Sequence, residues 1–175
     1  MDILFILDPF DSLKPKKETS IAMMRAAVAR GHRVFGCLQG DISLDQGKVT
    51  ARVTPLELTG ELSPWYKAGE VRIEPLSVFD AVLMRKDPPF DMEYVYSTYM
   101  LERAVEQGAR VYNNPAAIRD HNEKFSITAY PQLTTDVMVT RDPARLREFV
   151  ARHGEAVLKL LDGMGGASIF RARQD

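Results

Sequence analysis

Cysteine is almost missing from this sequence: Cys37 is the single one among 175 residues, so no internal disulfide can form, and a reducing, cytoplasmic setting suits the chain. Residues 34–38 form an apolar run around it and bring no thiolate-stabilising neighbour, so Cys37 reads as a core residue rather than a nucleophile. An excess of one charge sign is also missing. The 23 basic and 24 acidic residues are well mixed and leave a formal net charge of −1, which excludes the electrostatic footprint of a nucleic-acid or membrane-surface binder. Long hydrophobic runs are absent too. The first run, Ile3 to Leu7, is far too short to span a bilayer, and it follows an acid, Asp2, where a signal peptide carries basic residues. Histidine is scarce, and His121 has no second His or Cys at ligand spacing, so it reads as a surface residue rather than a metal ligand. What is present is enough apolar matter, 45% of residues against 27% charged, for one ordinary domain, or one domain and part of another. A small-molecule or protein partner is the default expectation.

Residues 3–7 end in Asp8-Pro9 and read as a strand buried on both faces, the first of a parallel sheet. Residues 19–30 place Ile21, Met24 and Val28 on one helical face, with Thr19 or Ser20 as cap and Gly31 as stop, and residues 34–38 resume strand character. Strand, helix and strand make a right-handed crossover, the unit of an open α/β sheet. Residues 40–75 are broken by Gly47, Pro55, Gly60, Pro64 and Gly69, which predicts hairpins and a long connection, with Trp65-Tyr66 as a packing anchor. Residues 80–84 form the next buried strand. A helix capped by Asp91 follows, carrying Tyr94, Thr98, Leu101 and Val105 inward, then a short strand at 110–112 and one or two short helices over 116–129. From residue 134 the pattern changes. A strand at 137–140, a helix at 143–152 with Leu146, Phe149 and Val150 inward, and strands at 156–161 and 169–171 around a glycine-rich loop predict a separate α+β unit.

Three constellations carry chemistry. The loop from Asp162 to Ser168 contains Gly163, Gly165 and Gly166, whose bare backbone lets amides approach phosphate oxygens, although the same segment also reads as a plain hairpin connection. It fits neither a P-loop nor a dinucleotide fingerprint. Lys159 precedes it on an apolar strand, where a buried cation asks for an anionic partner. Arg85 ends a buried strand, the place where open α/β sheets hold ligands, and its fork suits a carboxylate; an ion pair with Asp87 or Asp91 is the structural alternative. Pro88 and Pro89 then fix the direction of the chain. The string from Arg119 to Phe125 reads, on composition, as a solvated face.

Taken together, "LMRKDPPFD" at 83–91, "RDHNEKF" at 119–125 and "LKLLDGMGGASIFR" at 158–171 closely resemble prokaryotic glutathione synthetase, in order and in spacing. Asp8-Pro9 and Lys16-Lys17 extend the likeness to the start, so it covers essentially the whole chain. The resemblance implies an α/β protein: an N-terminal open, mainly parallel sheet domain of pre-ATP-grasp type over residues 1–120, then the start of an α+β ATP-grasp subdomain over 121–175. It implies an ATP-dependent ligase that activates the cysteinyl carboxylate of γ-glutamylcysteine as an acyl phosphate and lets the amine of glycine displace phosphate. ATP and Mg2+ are the implied cofactors, with Mn2+ as an alternative ion, and a homo-oligomer is implied.

By the same resemblance, Lys124 and Lys159 contact ATP phosphates, and Gly163, Met164, Gly165, Gly166, Ala167 and Ser168 form the flap over the nucleotide. Arg85 lies on the peptide-substrate side. Leu160 departs from the proline that the family usually carries there. The family's magnesium ligands and adenine-binding segment correspond to positions after Asp175, so no metal ligand and no certain catalytic residue is expected within these residues, and the chain is expected to be the front portion of the enzyme, inactive alone. Two other readings stay open: a different ATP-grasp ligase, acting on a peptide-tail glutamate or D-alanine, and a non-catalytic α/β module for binding or assembly.

Overall fold

The computed structural model describes residues 1–87, 89–163 and 168–174. The chain divides into two compact units: Met1–Asp87 with Met92–Arg119, and Pro88–Asp91 with Asp120–Asp175.

The first unit is built on an eight-stranded sheet. Strand β1 (Asp2–Leu7) lies in its middle, paired in parallel with β2 (Arg33–Leu38) on one side and β7 (Ala81–Met84) on the other. Leu4, Phe5, Ile6 and Leu7 are each no more than 1% exposed, the burial that a continuous apolar run demands when both faces of a sheet are covered. Strand β8 (Val111–Tyr112) extends the parallel part beyond β7. On the far side β2 meets the long strand β4 (Lys48–Leu58) antiparallel, and β4 carries β3 (Ile42–Asp45), β5 (Tyr66–Ala68) and β6 (Arg72–Pro75), all antiparallel, so the broken text of residues 40–75 becomes one curled extension.

Helix α1 (Thr19–Val28) connects β1 to β2. Its cap is Glu18, whose carboxylate accepts the Ser20 N–H at 3.0 Å, rather than Thr19 or Ser20. Those hydroxyls are thereby left for other work. Gly31 ends the segment at φ +76, a left-handed backbone that favours glycine. Ala27 is buried while Val28 is 41% exposed, so the inward stripe lies one residue earlier than the spacing predicts. The same displacement occurs in α2 (Met92–Glu106), where Tyr94, Ser97, Thr98, Leu101 and Ala104 face inward and Val105 is exposed. Trp65 packs into the core formed by Phe5, Leu7, Ile21 and Met24, and its indole N–H donates to the Phe10 carbonyl at 3.2 Å. Cys37 is buried, and burial raises its thiol far above the ordinary range. Helix α3 (Pro115–Asp120) follows β8.

The second unit contains α4 (Pro143–His153) and an antiparallel pair, β9 (Glu155–Lys159) and β10 (Ile169–Arg173). Asp142 caps α4 by accepting the Ala144 N–H at 2.8 Å, Pro143 occupies the first turn, and Gly154 at φ +73 closes the end. Residues 137–140 form no strand and have no ladder partner among the described residues, with Val137 and Val139 exposed. A short run rich in β-branched residues suits a strand, but a strand also needs a neighbour.

Candidate functional site

In the first unit the chemistry gathers at the carboxyl ends of β1 and β7. The Arg85 N–H donates to the Ile6 carbonyl at 2.8 Å, so its backbone still follows the sheet edge while its side chain reaches the start of α1. There Nε donates to Ser20 Oγ at 3.3 Å and an Nη donates to Thr19 Oγ1 at 2.9 Å. No ion pair joins Arg85 to a carboxylate among the described residues, so the pairing with Asp87 offered by the sequence is not made. Lys86 takes the carboxylate instead. Its Nζ lies 2.6 Å from one oxygen of Asp8, while the other oxygen accepts the Asp87 N–H at 2.9 Å. Burial, together with Asp87 and Asp8, pushes the nearby Tyr94 phenol upward, so it stays protonated and able to donate at neutral pH.

Arg119 belongs to this unit as well and is not part of a solvated face. Its guanidinium bonds Thr98 Oγ1 at 3.1 Å and Glu102 at 2.8 Å and lies 4.6 Å from the centre of the Tyr99 ring, tying α3 to α2. The hydrogen bond from Arg119 holds the Glu102 carboxyl below its usual range.

In the second unit the turn after α3 is joined to the segment after β9. Asn122 Oδ1 accepts the N–H groups of Lys124 at 2.9 Å and Phe125 at 3.0 Å, and Nδ2 donates to the Leu161 carbonyl at 2.9 Å. Lys124 Nζ pairs with Glu123 and donates to the Gly163 carbonyl at 2.6 Å. Lys124 and the first glycine of the loop are therefore brought together. Ser168 stands at the loop's other end, exposed, with φ +56. Met164, Gly165, Gly166 and Ala167, like Pro88, lie outside the described residues.

Lys159 sits differently from the sequence reading. It is the last residue of β9, opposite Ile169, on the exposed face that also carries Val157 and Arg171. Helix α4 packs against β9 and β10, and Ala156 and Leu158 are half-buried in alternation with the exposed Glu155, Val157 and Lys159. The apolar neighbours that suggested a buried lysine point to the other face. Its exposure leaves the amine hydrated and unforced, so burial supplies no argument for an anionic partner.

Sequence reasoning missed Asn122, Thr19, Ser20 and Asp8 as members of these arrangements. An Asx residue two positions before a lysine is a weak turn signal, and nothing local reveals a partner at Leu161. Among the described residues no group of three or more His, Cys, Asp or Glu is placed to hold a metal ion. No helix among them is long and apolar enough to cross a membrane.

The fold resembles that of a solved structure. The ATP-grasp ligase PsnB, solved with a phosphomimetic variant of its minimal precursor, Mg and ADP, is similar at a TM-score of 0.52 and 18% identity, covering 98% of this chain and 57% of that one. The fold class is that of an ATP-grasp ligase: a mixed α/β sheet domain leading into an ATP-grasp domain. Residues 1–119 match the N-terminal domain of prokaryotic glutathione synthetase and residues 123–175 match its ATP-grasp domain, so the chain belongs to the prokaryotic glutathione synthetase family. Glutathione synthetase of Ralstonia nicotianae is 54% identical over all of this chain and 54% of its own length. That of Bordetella parapertussis is 51% identical over 99% of this chain and 56% of its own. The chain thus spans about half the length of these relatives.

Proposed function

We propose that the protein to which these residues belong joins glycine to γ-glutamylcysteine at the expense of ATP, giving glutathione, ADP and phosphate. The observation that carries the reading is the match of both family domains, in order, along the chain. Residues 1–120 act as the substrate-side domain and residues 121–175 as the first part of the ATP-grasp domain. Attack of a carboxylate oxygen on a γ-phosphate brings like charges together, so the site must supply positive charge and hold the reactants in line.

Lys124 supplies one such charge. Its link to the Gly163 carbonyl keeps the ammonium beside the loop, and the remaining hydrogen on Nζ, with those two bonds free to exchange, can meet a phosphate oxygen. Lys159 supplies a second charge from the exposed face of β9, and to residues 163–168 we assign the task of excluding water from the acyl phosphate. Arg85, with no carboxylate paired to it among the described residues, offers its donors to a carboxylate of the dipeptide.

Mg2+, or Mn2+ in its place, would screen the nucleotide's charge, and none of the described residues is assigned to hold it. We assign turnover to the longer protein rather than to these 175 residues alone, a cytoplasmic setting, and a homo-oligomer of at least two copies. Light scattering that finds only monomer at high concentration would remove the oligomer.

The test is ADP release by the full-length protein with ATP, Mg2+ and glycine, comparing γ-glutamylcysteine with D-alanine as the acyl substrate. Release dependent on γ-glutamylcysteine is expected; release with D-alanine alone would place the protein among other ATP-grasp ligases. A second readout is Lys159→Ala. Severe loss of turnover is expected, whereas an unchanged rate would remove Lys159 from the site.

A further inference from the structure

The strand order in the first unit places β1 between β2 and β7. Helix α1 carries the chain from β1 to β2, and α2 carries it from β7 to β8 in the opposite direction. Right-handed crossovers running in opposite directions leave a sheet on opposite faces, and in open α/β sheets such a switch point, here between β1 and β7, is where a ligand crevice lies above the carboxyl ends of the strands. Asp8 ends one of these strands and Arg85 the other. Two cations, Arg85 and Lys86, and the carboxylate of Asp8 therefore meet at the crevice, and the pairing among them is selective. Lys86 and the Asp87 N–H share the two oxygens of Asp8. Among the described residues, Arg85 donates its side-chain hydrogen bonds only to neutral acceptors, the hydroxyls of Thr19 and Ser20.

The difference matters to an anionic ligand. A guanidinium already forked to a carboxylate has spent both charge and donors, whereas hydroxyls fix its direction and leave it without a direct carboxylate partner, with the Asp87 and Asp8 carboxylates acting on the same surroundings from a distance. Of five N–H donors, the hydroxyls use one on Nε and one on Nη2, so the two on Nη1 and one on Nη2 remain for a carboxylate fork. The support is rigid. Ser20 is fully buried, its N–H is held by Glu18, and Thr19 opens the first turn of a ten-residue helix.

We propose that Thr19 and Ser20 are positioning residues: they aim the guanidinium of Arg85, which has no direct carboxylate partner among the described residues, into the crevice between β1 and β7, where it receives a carboxylate of the peptide substrate. The inference rests on the reading of Arg85 given above. Because these contacts exist before substrate arrives and lie away from any developing charge, they contribute uniform binding, which moves KM and leaves kcat alone.

The experiment is steady-state kinetics of the full-length protein and its Thr19→Val, Ser20→Ala, Thr19→Ser, Arg85→Ala and Thr19→Val/Arg85→Ala variants, with melting temperature measured for each. Thr19→Val is expected to raise KM for γ-glutamylcysteine about tenfold, the low end of the weight of one hydrogen bond to a charged group, with kcat, the KM for glycine and the KM for ATP within twofold. Ser20→Ala is expected to act in the same direction. Thr19→Ser, which restores the hydroxyl, returns KM to the parent value, and in the Arg85→Ala background Thr19→Val has no further effect. Thr19 is exposed, so its variants carry the test even if Ser20→Ala fails to fold. A KM raised by Arg85→Ala but unmoved by Thr19→Val overturns the positioning inference and leaves the role of Arg85 standing. A KM unmoved by Arg85→Ala overturns the role of Arg85 and the inference with it. A Thr19→Val effect that persists undiminished without Arg85 also overturns the inference, because the hydroxyl would then act by another route.

Discussion

Replacing Asn122 by alanine removes three hydrogen bonds at once: those accepted from the Lys124 and Phe125 N–H groups and the one donated to the Leu161 carbonyl. The groups left behind can turn to water, since two of the three bonds are exposed, so each loss lies at the low end of the usual range, about 0.5 kcal/mol. Together they come to about 1.5 kcal/mol of local stability, close to a tenfold rise in the opening equilibrium of the turn. Hydrogen exchange on the full-length protein reads this directly: the amides of residues 124 and 125 are expected to exchange about tenfold faster in Asn122→Ala, with the β1 amides unchanged. Asn122→Asp separates the two functions of the side chain. It keeps the acceptor oxygen for the turn but sets a carboxylate against the Leu161 carbonyl, so protection at 124 and 125 should survive while the link to residue 161 is lost. Equal exchange in the parent and in Asn122→Ala would show that the turn holds itself, and the account of how Lys124 is placed beside Gly163 would fail.

Other consequences are open to simple measurement. Cys37 is 1% exposed with a thiol raised by burial, so a thiol reagent should leave the native protein unlabelled and modify it once urea unfolds it; stoichiometric native labelling would contradict this placement. A Cβ at Gly36 would sit 2.7 and 2.9 Å from ring atoms of Phe10 and 3.0 Å from Leu56 Cδ1, so Gly36→Ala should cost about 1–3 kcal/mol by chemical denaturation, and an unchanged midpoint would show that the ring moves aside freely. Asp80 accepts the Asp2 N–H at 2.8 Å and bonds Arg110, which lowers its folded pKa. A depressed carboxylate contributes stability that is present above its unfolded pKa, about 3.9, and is lost as pH falls through the folded value. Asp80→Asn should therefore flatten the acid side of the stability curve, and a curve of unchanged slope would refute the assignment.

The sheet was legible because burial leaves a mark that sequence alone carries. Residues 3–7 are continuously apolar and residues 4–7 are buried, and the glycine at 31 marks a helix end that needs a left-handed backbone. The failures share a cause. Residues 137–140 have strand composition, but pairing depends on a neighbour that composition does not name. Lys159 lies among apolar residues in sequence, yet a strand alternates, and the half-buried face belongs to Ala156 and Leu158. Arg85 was visible as a strand-end cation, whereas its hydroxyl partners lie 65 and 66 positions away and were read as caps until Glu18 took that place. Asn122 likewise acts across 39 positions. The resemblance put Lys124 and the glycine-rich loop into one proposed site, where the residues alone read as a solvated face and as either a phosphate loop or a hairpin.

The proposed reaction has a signature in the phosphate it releases. If the cysteinyl carboxylate attacks the γ-phosphorus and the amine of glycine then displaces phosphate from the acyl carbon, one carboxylate oxygen leaves with the phosphate and the other stays in the new amide. The full-length protein, given ATP, glycine and γ-glutamylcysteine with both cysteinyl carboxylate oxygens labelled with oxygen-18, is therefore predicted to release inorganic phosphate carrying a single label, read by mass spectrometry. Phosphate released without label while the peptide retains both labelled oxygens would contradict the ligase account at its centre.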